Sequence, residues 1–140
     1  MIVIDTNVVS EAMKPAPDDA VIAWFNSQAW DSLFLCTPVL AELHQGVEQL
    51  AAGRRKRTLT EALDRIENEL YRGRILSFDQ SAAAAYGRLT ALANRQGRRM
   101  GQMDALIAAT ALTHGAAIAT RDTDGFAGIG IELVNPFHSR

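Results

Sequence analysis

The sequence is poor in the features that mark several specialised classes of protein. Its 140 residues include one cysteine, Cys36, so no internal disulfide can form, and we expect a small buried apolar side chain there. No apolar run is long enough to cross a bilayer, and only 6% of the residues are aromatic. An acidic residue at position 5 interrupts the N-terminus, which lacks the basic and apolar segments of a secretory signal. These absences predict a protein of the reducing cytoplasm with no membrane partner.

A strong net charge is also missing. The 14 basic and 16 acidic side chains give a formal net charge of −2, whereas a protein that binds nucleic acid usually carries a basic surplus. At this length the chain buries roughly two thirds of the surface that it exposes when unfolded, which is enough for one compact domain. We therefore expect a single domain over residues 1–140.

Short β-type segments alternate with longer helical ones, a pattern typical of a parallel sheet flanked by helices. The predicted strands are residues 1–4, 33–36, 74–78, 116–119 and 131–134. Apolar residues recur at spacings of three and four in the predicted helices, at about 19–28, 37–53, 54–70, 80–93 and 102–113. Thr37 and Pro38 predict a capped helix start, and Gly53 predicts the end of that helix. The fold class is α/β.

Acidic side chains fall where these predicted strands end. Asp5 directly follows the first strand, and Asp122 and Asp124 follow the fourth. Glu42 lies in the second turn of the helix after the second strand and off its apolar stripe. Because ligands of parallel sheets bind beyond the carboxyl ends of the strands, we expect these carboxylates to share one edge.

Asp104 is placed differently, near the start of a predicted helix. From residue 102 to 114 it is the only acid, with no Lys or Arg to pair with it. It joins the other acids if that end of the helix reaches the same edge. Any one of these acids could instead be a turn residue, a helix cap or a solvated charge, but together they favour a site.

A cluster of carboxylates has a definite chemistry. Neighbouring negative charges raise one another's pKa, so such a cluster shares protons or recruits cations. Oxygen ligands without nearby His or Cys favour Mg²⁺ or Mn²⁺ over zinc. One or two such ions can activate water against a phosphodiester. The spacings of His44, His114 and His138 do not fit a zinc site.

Five sequence features resemble the motifs of PIN domains. They are IDTN at 4–7, a helix carrying Glu42, DALIAAT at 104–110, ATRD at 119–122 and PFH at 136–138. Over essentially its whole length the chain is similar to the VapC- and FitB-like toxins of type II toxin–antitoxin systems.

The resemblance implies a PIN-like fold with a parallel sheet of about five strands and flanking helices. It implies an RNA endonuclease that uses Mg²⁺ or Mn²⁺, forms a homodimer, and is inhibited by a small DNA-binding antitoxin. The catalytic and metal-binding acids would be Asp5, Glu42, Asp104 and Asp122. The segment TRDTDGF departs from the family pattern of TRN, two residues and DF, so Asp124 is an alternative to Asp122 as the ligand.

The resemblance also implies supporting residues. The Thr6 hydroxyl and the Asn7 amide would donate hydrogen bonds to Asp5, and Thr120 would lie near the metal. Arg121 would be structural or would face a phosphate.

Basic residues near the predicted site are candidates for contacts with a phosphate. Arg98 and Arg99 lie in the loop before Asp104, where they could meet a phosphate, whereas residues 54–57 are typical of a solvated helix start. Setting aside the four acids of the predicted site leaves 12 acidic against 14 basic groups, so the bulk charge conceals a basic remainder.

Two other functions remain open from the sequence. One is a binding module of the same fold, with a site too weak for turnover, that binds an antitoxin or RNA. The other is hydrolysis of small phosphate esters. A calcium loop at 120–131 is excluded, because Thr120 is not acidic and Ile131 stands where a bidentate Glu is required.

Overall fold

The computed structural model describes residues 1–138 and contains a sheet of five parallel strands in the order β3-β2-β1-β4-β5. The strands are β1 (Ile2–Ile4), β2 (Leu33–Cys36), β3 (Ile75–Leu76), β4 (Ala117–Ala119) and β5 (Leu133–Val134). In the register of the central strand β1, Ile2 pairs with Leu33 on one side and with Ala117 on the other. The predicted α/β architecture is confirmed.

Seven α-helices lie within the described residues. They are α1 (Thr6–Ala12), α2 (Asp19–Ser27), α3 (Thr37–Glu48), α4 (Arg54–Arg65), α5 (Gln80–Arg95), α6 (Gln102–Thr113) and α7 (Thr123–Phe126). A short 3₁₀ turn covers Trp30–Ser32, and a π-helical segment, Ile66–Leu70, continues α4. None of the helices in residues 1–138 combines the length and apolarity needed to cross a membrane.

Helices α1 and α7 are absent from the sequence prediction. Both are short, with seven and four residues, so they offer too few turns for an apolar period to be visible. Each is begun by an acid of the predicted site: Asp5 accepts a hydrogen bond from the Thr6 N–H, and Asp122 accepts one from the Gly125 N–H.

The predicted start of α3 at residue 37 is confirmed, but its cap and its end differ from the prediction. Thr37 does not cap the helix; it lies inside α3, and its hydroxyl accepts a hydrogen bond from the Phe78 N–H instead. The helix ends at Glu48, and Gly53 precedes α4 rather than ending α3. A tertiary partner 41 residues away has replaced the local cap.

The core lies along the three central strands and α6. Val3, Ile4, Leu35 and Ile118 are fully buried. The small residues of α6 allow close packing, since its buried positions are mainly alanines. Cys36 is fully buried as predicted, and burial raises the pKa of its thiol to about 12, so it is an unreactive core residue.

Candidate metal centre

Asp5 lies at the carboxyl end of β1, where the strand passes into α1. Its side chain is held on both oxygens: the Thr6 N–H donates to Oδ1 over 2.7 Å, and the Thr120 hydroxyl donates to Oδ2 over 2.8 Å. The residue is only 5% exposed. Burial raises the pKa of Asp5, the two hydrogen bonds oppose that rise, and the charges of Glu42 and Asp122 add to it. The Asp5 carboxylate is thus fixed in place, and the neighbouring charges that act on it are negative.

Glu42 reaches this edge from α3. Its Oε1 accepts a hydrogen bond of 2.5 Å from the Thr6 hydroxyl. The resemblance implies that this hydroxyl donates to Asp5, whereas in the structure Thr6 supports Asp5 through its backbone N–H. A single residue therefore orients two of the predicted acids.

Asp104 lies in the first turn of α6 and is half-buried. Its pKa is raised to about 6, mainly by burial and further by the charges of Asp5, Asp122 and Glu42. The N-terminus of α6 therefore does reach the edge where the strands end. The structure brings all four acids into one electrostatic group.

The structure relates Asp122, of the two alternative acids Asp122 and Asp124, to the other acids of the group. The charge of Asp122 raises the pKa of both Asp5 and Asp104. A Cβ placed on Gly125 would lie 2.5 Å from Asp122 Oδ2 and 3.3 Å from Asp104 Oδ2. The absent side chain of Gly125 thus leaves room for two carboxylates side by side, which favours Asp122 over Asp124.

Asn7 and Thr120 connect the ends of β1 and β4. The Asn7 amide donates to Asp5 Oδ2 over 3.3 Å and to Thr120 Oγ1 over 3.4 Å, and its oxygen accepts from the Arg121 N–H over 3.2 Å. Thr120 is fully buried, and its hydroxyl also accepts from the Asp122 N–H over 3.0 Å. These bonds fix the loop that carries Asp122 relative to Asp5.

A cleft of about 460 Å³ opens beside the acids. Asp104, Asp122 and Asp124 line it together with Arg98 and Arg99. Arg98 donates to the carbonyl oxygen of Asp124 over 2.6 Å, while Arg99 is exposed. The cleft therefore joins a carboxylate wall to a basic one, an arrangement suited to a phosphate that bridges cation and arginine.

Arg121 does not line this cleft. Its guanidinium lies 3.7 Å from the ring centre of Phe137 and 3.9 Å from Glu11 Oε1. Sequence reasoning missed both partners, because they are separated from each other by more than a hundred residues and carry no shared spacing signal.

The donor chemistry of this edge suits a hard divalent cation. Within residues 1–138, none of the four acids forms an ion pair with Lys, Arg or His, so a cation would relieve their repulsion. Among the same residues, no three His, Cys, Asp or Glu side chains already stand in position to hold an ion.

Comparison with known proteins identifies close relatives. The family model described as PIN domain matches residues 2–132. The chain is 39% identical to the toxin FitB of Neisseria gonorrhoeae over 99% of each chain, and 43% identical to the VapC ribonuclease Y4jK of Sinorhizobium fredii over 98% of each. A solved structure of FitAB bound to a DNA fragment superimposes with a TM-score of 0.93 at 37% identity, covering 100% of this chain and 98% of that one.

Proposed function

The chain belongs to the PIN domain family, and on that premise we propose that it is a Mg²⁺- or Mn²⁺-dependent RNA endonuclease, the toxin of a toxin–antitoxin pair. The observation that carries the proposal is the group of four mutually repelling carboxylates at one sheet edge, beside a cleft with arginines. The relative named a VapC ribonuclease supports the same activity.

In this proposal Asp5, Glu42, Asp104 and Asp122 hold the ion or ions. When bound, such a metal lowers the pKa of water and offsets the charge that develops on a phosphate under attack. Thr6 holds both Asp5, through its backbone N–H, and Glu42, through its hydroxyl. These supporting hydrogen bonds reduce the reorganisation that the acids need when they bind the metal.

The arginines of the cleft have separate roles. The bond from Arg98 to the Asp124 carbonyl commits part of its guanidinium to holding the loop at α7. Arg99 is exposed on the same cleft and is free of such a bond within residues 1–138. We therefore assign the main contact with the RNA phosphate to Arg99, and a secondary contact to Arg98.

A protein partner belongs to the proposal as well, because the similar FitAB structure is a complex. A groove of about 350 Å³ lies between α1, α2 and the Ile66–Leu70 segment. Ile22, Trp30 and Leu70 line it and are 40%, 47% and 41% exposed. We assign this apolar groove to a hydrophobic segment of an antitoxin. The change Ile22→Glu is then expected to prevent co-purification of the protein with its antitoxin, and unchanged co-purification would place the antitoxin on another surface. Homodimer formation and a cytoplasmic location stay predictions from the sequence.

One observation favours the alternative of a binding module without turnover. Within residues 1–138, no three Asp, Glu, His or Cys side chains are close enough together to hold a metal ion. Both functions predict that Mn²⁺ raises the melting temperature, but only the enzyme predicts cut RNA.

The deciding experiment is cleavage of structured RNA by the purified protein with Mn²⁺ or Mg²⁺. Asp5→Asn is expected to abolish cleavage, and Asp31→Asn, which changes an exposed acid outside the site, is expected to retain it. Cleavage that persists in excess EDTA or in the Asp5 variant would overturn the proposal. Stabilisation by Mn²⁺ with no cut RNA would establish the binding module instead.

A further inference from the structure

Arg121 stands between two residues of the candidate metal centre, Thr120 and Asp122, and its backbone is held on both sides. Its N–H donates to Asn7 Oδ1 over 3.2 Å, and its carbonyl accepts from Asn135 Nδ2 over 3.4 Å. One bond comes from α1 and the other from the segment after β5. The loop is thus fastened between the two ends of the chain.

The side chain of Arg121 is held in the same manner. Its guanidinium carbon lies 3.7 Å from the ring centre of Phe137, within the range of a cation–π contact. Its Nη2 lies 3.9 Å from Glu11 Oε1. A planar aromatic face and a carboxylate therefore meet the same guanidinium.

Both of these partners are themselves fixed. Glu11 is 6% exposed, and it accepts hydrogen bonds from Lys14 Nζ over 2.9 Å and from the Asp18 N–H over 3.0 Å. The Phe137 N–H donates to Asn135 Oδ1 over 3.0 Å, and the Phe137 ring packs against the core. The Asn135 side chain therefore donates to the Arg121 carbonyl through its nitrogen and accepts from the Phe137 N–H through its oxygen.

We propose that Glu11, Asn135 and Phe137 form an Arg121 clamp that positions Thr120 and Asp122 for metal binding. Arg121 is then a positioning residue and not a ligand of the RNA phosphate. The reason is geometric: the guanidinium contacts the Phe137 ring and Glu11, although 58% of the Arg121 side chain is exposed. The same residue is bonded through its backbone to Asn7 and Asn135, next to the Thr120 hydroxyl that donates to Asp5 over 2.8 Å. The role of the clamp in metal binding rests on the proposed function. Its fixing of the loop at residues 120–122 is independent of that function.

The first test follows the loop itself in protein without added metal. Hydrogen exchange of the Asp122 N–H, which donates to Thr120 Oγ1, is expected to be about 10-fold faster in Phe137→Ala than in the wild type. Phe137→Trp keeps an aromatic face and is expected to restore slow exchange. Arg65→Ala removes an exposed arginine on α4 and serves as the matched control with no change. Unchanged exchange in Phe137→Ala would overturn the clamp.

The second test separates positioning from phosphate binding. In Phe137→Ala and in Glu11→Gln, the Kd for Mn²⁺, measured from the electron paramagnetic resonance of the free ion, is expected to rise about 10-fold. Arg121→Ala should do the same, and it should leave the KM for RNA at saturating Mn²⁺ within about 2-fold of the wild type. A raised KM for RNA with unchanged Mn²⁺ affinity would overturn the clamp and assign Arg121 to the phosphate. Wild-type protein that binds no Mn²⁺ would instead refute the proposed function, and the exchange experiment would still decide on the clamp.

Discussion

The Thr6 hydroxyl donates a 2.5 Å hydrogen bond to Oε1 of Glu42, 36 residues further along the chain. Since the backbone N–H of Thr6 donates to Asp5, the first residue of α1 couples the acid at the end of β1 to the acid on α3. The two carboxylates repel each other, and a neutral donor between them holds both without adding charge.

Removal of this hydroxyl should disturb the site more than the fold. Thr6→Val leaves Glu42 without its donor, so we expect about 10-fold slower RNA cleavage and a loss of about 1 kcal/mol in the free energy of unfolding. Thr6→Ser keeps the hydroxyl and should retain most of the activity. Cleavage rates and urea unfolding measure the two effects, and equal activity of the Val and Ser variants would contradict this role of Thr6.

Asp104 should lower the stability of the protein when no metal is bound. Its pKa is raised to about 6, so at neutral pH the ionised side chain has an unfavourable free energy in the folded state. Because the side chain is only half-buried, solvent screening reduces this penalty to about 1 kcal/mol. In EDTA at pH 7.5, Asp104→Asn should therefore melt about 3 °C higher than the wild type. Saturating Mn²⁺ should reverse the order, and a variant that is less stable in EDTA would refute the repulsion.

Glu11 should make stability depend on acid pH in the opposite sense. The hydrogen bond from Lys14, followed by that from the Asp18 N–H, holds the pKa of Glu11 below its ordinary value of 4.5. A lowered folded-state pKa gives stability that is present above pH 4.5 and is lost as the pH falls through the folded value. Glu11→Gln should thus unfold more easily than the wild type at pH 7, with the difference shrinking below pH 4.5. Glu61→Gln, an exposed change on α4, is the control, and a difference that stays constant down to pH 3 would contradict the prediction.

Gly125 should be needed for the site rather than for the fold. A methyl group there would lie 2.5 Å from Asp122 Oδ2, so Asp122 must move in Gly125→Ala. We expect RNA cleavage to fall about 100-fold, because small displacements of site groups are costly in catalysis. Gly87→Ala on α5 meets nothing within 4 Å and should be active and about 0.5–1 kcal/mol more stable. Full activity of the Gly125 variant would show that Asp122 does not need its present position.

Arg99 should act on the substrate and not on the metal. Arg99→Ala is expected to raise the KM for RNA about 5-fold and to reduce the salt slope of binding by about one unit, with the Mn²⁺ affinity unchanged. Arg65→Ala, which removes an exposed arginine paired with Glu69, gives the baseline for a lost charge. An equal effect of the two variants would place the RNA elsewhere.

Much of the fold could be predicted because its signals are local. The strand at 33–36 and the helix at 102–113 are recovered with the predicted boundaries, since each has an apolar pattern and a clear start and end. The positions of the acids directly after the strands indicated a common edge, because parallel strands bring their carboxyl ends together. Local patterns missed α1 and α7, which are too short to show a period. They also assigned the Thr37 hydroxyl to the cap of α3, whereas it accepts a hydrogen bond from the Phe78 N–H.

The sequence by itself determined the α/β class, the order of the elements and which carboxylates could meet. Apolar periodicity and the ends of strands depend on residues that are close together in the chain. Only the tertiary structure decided how those carboxylates are held: that the Thr6 hydroxyl donates to Glu42, that the charge of Asp122 acts on Asp5, and that Arg121 contacts Glu11 and Phe137. These relationships join residues from 16 to 117 positions apart. No spacing rule connects residues that become neighbours only after the sheet has formed.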